Sequence, residues 1–508
     1  MKAEPESQTA VPWRHAAVPW RRIAPVALPL LAGLVLRLWL LGPVFNVDGD
    51  SLIYGGIAKN LLRQGRYALG SPGGAVDPTL IRLPGYPFFL ALCFRLFGME
   101  NYFAAALAQI ALDLLGCLLL AAFVRRIAPA PFGRRAALAA LWLAALCPFT
   151  ASYAAMPLAE TPTLFAIALA LWSMARFQED PRWANALWWT LAVTAAALLR
   201  PDGALLAIAL APAFFGGLEP VSGQGASALR ARLRMAAVCL LLALLPFAVW
   251  TLRNWRVFHV FEPLAPRLAN DPGEPANSGW ERWVASWCLD FQSTAEVYWN
   301  VPDNKLDVHA LPARAFDTSA ERAATMALVR DYNHNGMKLT PAIDARFGQL
   351  ARQRIAAHPL RFFLWLPLGR LADMGLRPRV ENLDIDLDWW VYAHHWQETV
   401  FCWAYAGLNA LYLLLAVAGL AMRPRFGRAL LVYLLLRSAL LLTVSAPETR
   451  YTIECFPMFF ALGGLAIGRW MDRRNAEEHA ASMPASRARR LSAGLTLRNR
   501  RRSSAAGD

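Results

Sequence analysis

The chain is poor in the residues on which many soluble enzymes rely. Its 7 cysteines are scattered over 508 residues without a C-x-x-C, so neither a disulfide framework nor a zinc site follows. Histidine is scarce, 8 in all; no H-E-x-x-H occurs, and His394-His395 reads as loop surface rather than as ligands. There is no glycine-rich loop to cradle a nucleotide phosphate, and Ser, His and Asp do not fall in a hydrolase order. Charged residues are 17% of the chain, against roughly 25% in soluble domains. The first long apolar run begins at Ile23 and lacks a small-x-small exit, so it reads as an uncleaved anchor rather than a signal peptide. Neither an internal repeat nor a matching pair of broken helices is found, and those mark many secondary transporters.

What fills the chain instead is apolar: 57% of residues are hydrophobic, and 20 are tryptophan. Runs of about 20 such residues are long enough to cross a bilayer as helices. Ten spans are expected, at 23–42, 102–124, 136–155, 158–176, 184–199, 203–218, 235–251, 399–421, 429–446 and 451–468. A net charge of +15 raises the question of nucleic acid, and the placement of the arginines answers it. With the N-terminus inside, segments 1–22, 219–234 and 469–508 and the acid-free loops Arg125-Arg126…Arg134-Arg135 and Arg423…Arg425…Arg428 are cytoplasmic. They carry more than the whole excess. This positive-inside bias places both ends in the cytoplasm. The basicity is an orientation signal with, at most, an anionic-lipid contact, and no nucleic-acid partner is expected. Residues 361–376 contain Pro367, Arg370 and Asp373. As an eleventh span they would turn the arginine-rich tail outward; an interfacial helix is expected.

This divides the chain into a cytoplasmic N-terminus 1–22, a transmembrane module 23–251 with a first extracytoplasmic loop 43–101, a cap 252–398, C-terminal helices 399–470 and a basic tail 471–508 expected to be disordered. In the first loop, Asp50 or Ser51 would cap a helix over 51–64 that stops at Gly65. Its apolar stripe Leu52, Ile53, Ile57, Leu61 and Leu62 suits the bilayer surface. Residues 86–98 are expected to form a second surface helix. The cap mixes charges with Trp280, Trp283, Trp287, Tyr298, Trp299, Trp389 and Trp390, and reads as partly helical and resting on the membrane mouth.

Ionisable residues gather at one face. Asp48 and Asp50 follow the first span; they either cap and solvate a loop, or one removes a proton from an acceptor hydroxyl. Asp-Gly-Asp also resembles a metal-binding Asp-x-Asp, so Asp48, Asp50 and Glu160 are the carboxylates available to a hard divalent cation. Arg82, before the rigid Pro84-Gly85-Tyr86-Pro87, is either a snorkelling anchor or a planar fork for phosphate. Glu448-Thr449-Arg450-Tyr451 forms a charged turn at the mouth of the last span. Glu160 and Arg200-Pro201-Asp202 are placed at the same depth, as helix caps or as parts of the site. Arg37, Asp113 and Arg437 lie within spans, where such groups face a polar interior; a pairing of Arg37 with Asp113 would satisfy both. Chemistry at the outer face has no nucleotide pool, so an activated group would arrive on a lipid.

These residues resemble those of the GT-C membrane glycosyltransferases, in particular bacterial aminoarabinose transferases and dolichyl-phosphate-mannose–protein mannosyltransferases. The resemblance rests on Asp50-Ser-Leu-Ile-Tyr54-Gly-Gly-Ile-Ala58…Gly65, on Arg82-Leu-Pro84-Gly-Tyr-Pro and on Glu448-Thr-Arg450-Tyr451. It implies an all-α polytopic bundle of about ten transmembrane helices with interfacial helices and an extracytoplasmic cap. It implies transfer of a sugar from a polyprenyl-phosphate donor to a lipid, glycan or protein acceptor, with Asp50 catalytic and Arg82, Arg450 and Tyr451 on the donor phosphate. Asp48, Tyr54, Glu160, Arg200 and Glu448 would support them. The expected location is a cell membrane, the bacterial inner membrane, with the site on the extracytoplasmic side. The family's Asp-Glu pair is Asp50-Ser51 here and its Lys-Pro-Pro is Arg82-Leu-Pro, so neither metal need nor donor sugar carries over. The alternative from another class is a lipid or solute transporter or flippase; a lipid-binding scaffold is a third.

Overall fold

A computed structural model describes residues 20–70, 75–215 and 226–481. In chain order, α1 (Trp20–Val44) leads to α2 (Gly49–Gln64), the strands β1 (Ala68–Gly70) and β2 (Val76–Pro78), α3 (Gly85–Phe97), α4 (Tyr102–Ile127), α5 (Gly133–Ala145), α6 (Pro148–Ala155), α7 (Glu160–Glu179), α8 (Trp183–Leu199), α9 (Ala204–Phe214) and α10 (Ala226–Phe258). The segment that follows contains α11 (Ser278–Ala285), a single turn α12 (Phe291–Ser293), α13 (Ser319–His334), α14 (Pro341–Ala357) and α15 (Leu366–Leu376). The chain closes with α16 (Tyr392–Ala421), α17 (Gly427–Leu441) and α18 (Phe456–Ala481).

Every expected span coincides with helix. Among the described residues, α1, α4, α10, α16 and the run Thr449–Glu478 are each long and apolar enough to cross a bilayer, and α5 with α6 form a sixth such unit. The spans expected at 158–176, 184–199, 203–218 and 429–446 are α7, α8, α9 and α17, which do not reach that length and hydropathy alone. Apolar side chains point outward as well as inward: Leu28, Leu31 and Val35 on α1 and Leu241, Leu245 and Val249 on α10 are exposed, which fits a lipid environment and not water. The chain is a multi-pass α-helical membrane protein.

The expected continuous span 136–155 is instead bent by 51° between α5 and α6. Pro148 opens α6; proline cannot donate to the preceding turn and clashes with it, so the helix breaks there. The break leaves carbonyls at the end of α5 without helical partners, and Arg37 takes them, donating to Ala145 O at 2.7 Å and Ala144 O at 3.5 Å. Its Nε also donates to Asp113 at 2.6 Å, the pairing expected from sequence. Arg37→Ala would leave Asp113 buried without a cation, costing about 3–5 kcal/mol. Thermal unfolding in detergent should show that loss, and Arg37→Leu with Asp113→Leu should recover much of it.

One end of the bundle gathers the two long connections. Leu80 N donates to Asp271 at 2.8 Å, Thr294 to the Pro447 carbonyl at 2.9 Å and Tyr153 to Glu381 at 2.8 Å. The arginine-rich loops meet at the other end, where Arg135 pairs with Asp472 and Arg425 reaches Gln178. The cap encloses its own apolar core around Trp280, Trp283, Trp287, Tyr332 and Phe347, which also takes in Ala446 from the turn before Thr449.

Three local expectations differ from the structure. The helix expected at 51–64 starts two residues earlier, at Gly49, with Asp48 at its cap; Asp50 is therefore free of capping. Ile57, placed on the bilayer stripe, is fully buried, because α2 packs its Ser51, Gly55, Ile57 and Ala58 face inside the protein. The expected tail is helical through Ala481, its remainder lying outside the described residues. Residues 361–376 are helical; Arg370 and Met374 face inward while Phe363, Leu364, Trp365 and Leu368 are exposed.

Candidate active site

Three segments distant in sequence converge on Asp50. A left-handed Gly49 (φ 43) turns the chain out of α1 into α2, and an acid in the first turn suits the positive helix end. Arg82 sits on the strap between β2 and α3. That strap is fixed at both sides: Tyr67 donates to the Arg82 carbonyl at 3.0 Å, and Arg253 donates to the Tyr67 and Thr79 carbonyls, both at 2.7 Å. Gly85 lets the start of α3 lie against α8, where a Cβ would meet the Leu198 carbonyl at 2.6 Å. Arg450 comes from the 3-10 turn Thr449–Cys455 that opens α18.

The Asp50 carboxylate bridges the two arginines. Arg82 donates to Oδ1 at 2.6 Å and Arg450 to Oδ2 at 3.1 Å. Arg450 also turns its Nε to Glu448 at 2.5 Å, and Glu448 accepts from the Tyr451 hydroxyl at 2.6 Å. The Arg82 guanidinium lies 5.9 Å from the Tyr54 ring and that of Arg450 lies 5.5 Å from the Tyr451 ring. Asp50, Arg82 and Arg450 keep a fifth to a quarter of their side-chain surface open, so a substrate can reach them.

Burial pushes the Asp50 carboxyl up, but Arg450 and Arg82 outweigh it and hold the group below its ordinary 3.8. Burial, with Asp50 nearby, pushes the Tyr54 phenol up to about 12, so it remains a hydrogen-bond donor.

A second ionic layer lies behind the first. Arg200 pairs with Glu160 and Glu454, each at 2.8 Å. Arg437 pairs with Asp202 at 2.9 Å and with Glu454, and donates to the Tyr451 carbonyl at 2.6 Å. Glu160, Glu454 and Arg437 are buried; they brace the turn that presents Arg450. The cap adds a third set. Arg379 donates to the Thr449 carbonyl at 3.0 Å and to the Thr452 hydroxyl, and Asn382 reaches Ser152 at 3.3 Å.

The structure thus brings Asp50, Arg82, Arg450, Tyr451, Tyr54 and Glu448 together, with Glu160 and Arg200 in the layer behind. Asp48 stays apart: it is exposed and accepts from Asn46 at 2.7 Å. The trio Asp48, Asp50 and Glu160 does not converge, since Asp50 and Glu160 each face arginines. Among the described residues, no group of three His, Cys, Asp or Glu could hold a metal ion. Glu454, Arg379 and Glu381 were not singled out in the sequence. Glu454 carried a signal, a lone acid inside an apolar span; the other two sit in a cap rich in both charges, where nothing distinguishes them.

Residues 78–252 match the family model described as dolichyl-phosphate-mannose-protein mannosyltransferase, and no curated protein matches the chain. Among solved structures, the oligosaccharyltransferase of Archaeoglobus fulgidus, crystallised tethered with an acceptor peptide, superposes with a TM-score of 0.50 at 15% identity. The match covers 93% of this chain and 52% of that one. The chain shares the fold of that archaeal enzyme. The chain spans about half the length of that archaeal enzyme. ArnT from Cupriavidus metallidurans bound to undecaprenyl phosphate gives a TM-score of 0.37 at 16% identity, over 92% of this chain and 82% of that one.

Proposed function

We propose that the chain is a membrane glycosyltransferase that moves a sugar from a polyprenyl-phosphate donor to a lipid, glycan or protein acceptor at the outer face of the membrane, the inner membrane of a bacterium. The observation that carries this reading is one carboxylate bridged by two partly open arginines at the end of the bundle where the cap docks. The acceptor oxygen or nitrogen attacks the anomeric carbon and Asp50 takes its proton. The bond from that carbon to the phosphate oxygen breaks on the opposite side, so the configuration inverts. The electron pair stays on the polyprenyl phosphate, whose charge Arg82 and Arg450 stabilise. Tyr451 and Glu448 hold Arg450 in place. The positive charge a leaving phosphate needs comes from the chain's own arginines, and no step is assigned to a metal. Release of polyprenyl phosphate from a panel of pentosyl and hexosyl donors, dependent on protein and acceptor, tests the activity; no release from any donor would sink it.

A carboxylate clamped by two cations is a weak base. A donor phosphate competes for both guanidinium groups, and so restores basicity to Asp50 as it binds. In the free enzyme the ionised form persists until pH falls below the ordinary 3.8; in the donor complex the arginines are shared and the value rises. The acid limb of kcat should therefore lie at higher pH than that of kcat/KM. Coincident limbs in the two profiles would mean that donor binding leaves Asp50 clamped.

Sidedness has a clean readout because all seven cysteines are buried. Asp48→Cys, at an exposed position, should react with a membrane-impermeant maleimide from outside intact cells. Reaction only after permeabilisation would place the site on the wrong face.

A further inference from the structure

A cavity of about 490 Å³ lies between the cap and the end of α17, and its lining contains no member of the Asp50 cluster. Its size is that of a ligand pocket. Three arginines line it: Arg267, Arg282 and Arg370. Arg370 is 3% exposed, and its guanidinium donates to the carbonyls of Cys288 at 2.8 Å, Val444 at 3.0 Å and Ala285. It makes no ion pair among the described residues, so its charge is buried on neutral dipoles alone. A buried cation without a counter-ion is costly, and an anion in the cavity would relieve that cost. Arg267 lies beside it, donating at 3.1 Å to Thr443 O, the carbonyl next to that of Val444. Arg282 is exposed and has no hydrogen-bond or ionic partner among the described residues. The one acid in the lining, Glu281, accepts from the Tyr298 hydroxyl.

The rest of the wall is apolar, with Phe362, Phe363 and Leu442. Leu442 directly follows the last residue of α17, so the cavity opens where a helix of the bundle ends. From Phe363, 70% exposed, an apolar surface continues over Leu360, Leu364, Trp365 and Leu368. Basic groups around a pocket, continuous with an exposed apolar strip, match an amphiphile with a negative head rather than a soluble anion. We propose that this cavity binds the anionic headgroup of a bilayer phospholipid, with the acyl chains along the Phe363–Leu368 surface.

The test is lipid retention, which needs no turnover and so stands or falls separately from the proposed activity. Full-length protein is extracted from nanodiscs of phosphatidylcholine containing phosphatidylglycerol, and bound lipid is read by native mass spectrometry. Wild type should keep phosphatidylglycerol selectively. Arg267→Ala with Arg282→Ala should reduce its retention by about tenfold while binding of polyprenyl phosphate is unchanged. Arg282→Glu alone, at an exposed residue without a partner, should act in the same direction with unchanged unfolding temperature. Equal retention by wild type and variants would overturn the proposal. So would displacement of the lipid by millimolar inorganic phosphate, which would mark a soluble-anion site, or parallel loss of polyprenyl phosphate, which would make the cavity part of the donor site.

Discussion

Replacing Asp50 by Asn should lower turnover by about two to four orders of magnitude, the span that a positioned proton acceptor contributes. The substitution keeps the shape and the hydrogen-bonding oxygen but removes both the base and the charge that Arg82 and Arg450 share. Two further readouts separate a base from a merely structural anion. Donor affinity should rise in Asp50→Asn, because the phosphate no longer competes with a carboxylate for the arginines at 2.6 and 3.1 Å. The unfolding temperature should change little, since the Asp50 side chain is partly open and such pairs contribute modestly. Turnover within a few-fold of wild type would remove Asp50 from the base role. Turnover lost together with donor binding would instead make it a scaffold for the arginines.

The legible part of this protein was whatever depends on local composition. The apolar runs locate helix at each of the ten expected places, and α1 and α4 match their expected ends closely, because a bilayer imposes length on any segment that crosses it. Asp50, Arg82 and Arg450 could be singled out because a charge beside a long apolar run has few bland explanations. That both arginines touch Asp50, across gaps of 32 and 400 residues, follows from packing and is not written in any local window. The break before Pro148 shows the limit from the other side. A proline inside an apolar run signals a kink, but its consequence, free carbonyls answered by Arg37 from another helix, needs the third dimension. Glu454 was hidden for a similar reason: it is read as one acid at the head of a span until Arg200 and Arg437 are seen on either side of it.

Arg450→Ala should have the second large effect, lowering kcat/KM by about two to three orders of magnitude, as loss of one donor to a developing oxyanion does. The guanidinium sets Nη1 on Asp50 and turns Nε to Glu448. A lysine offers a point charge without that planar geometry, so Arg450→Lys should recover only part of the loss, and full recovery by Lys would count against phosphate recognition through the fork. The alanine variant also strands Glu448, which is 5% exposed, and an unpaired buried carboxylate destabilises by about 3–5 kcal/mol. Glu448→Gln combined with Arg450→Ala removes that penalty. If the pair regains stability but not turnover, Arg450 acts on the donor. If turnover returns with stability, Arg450 serves only to neutralise Glu448, and the phosphate must find its second positive partner elsewhere.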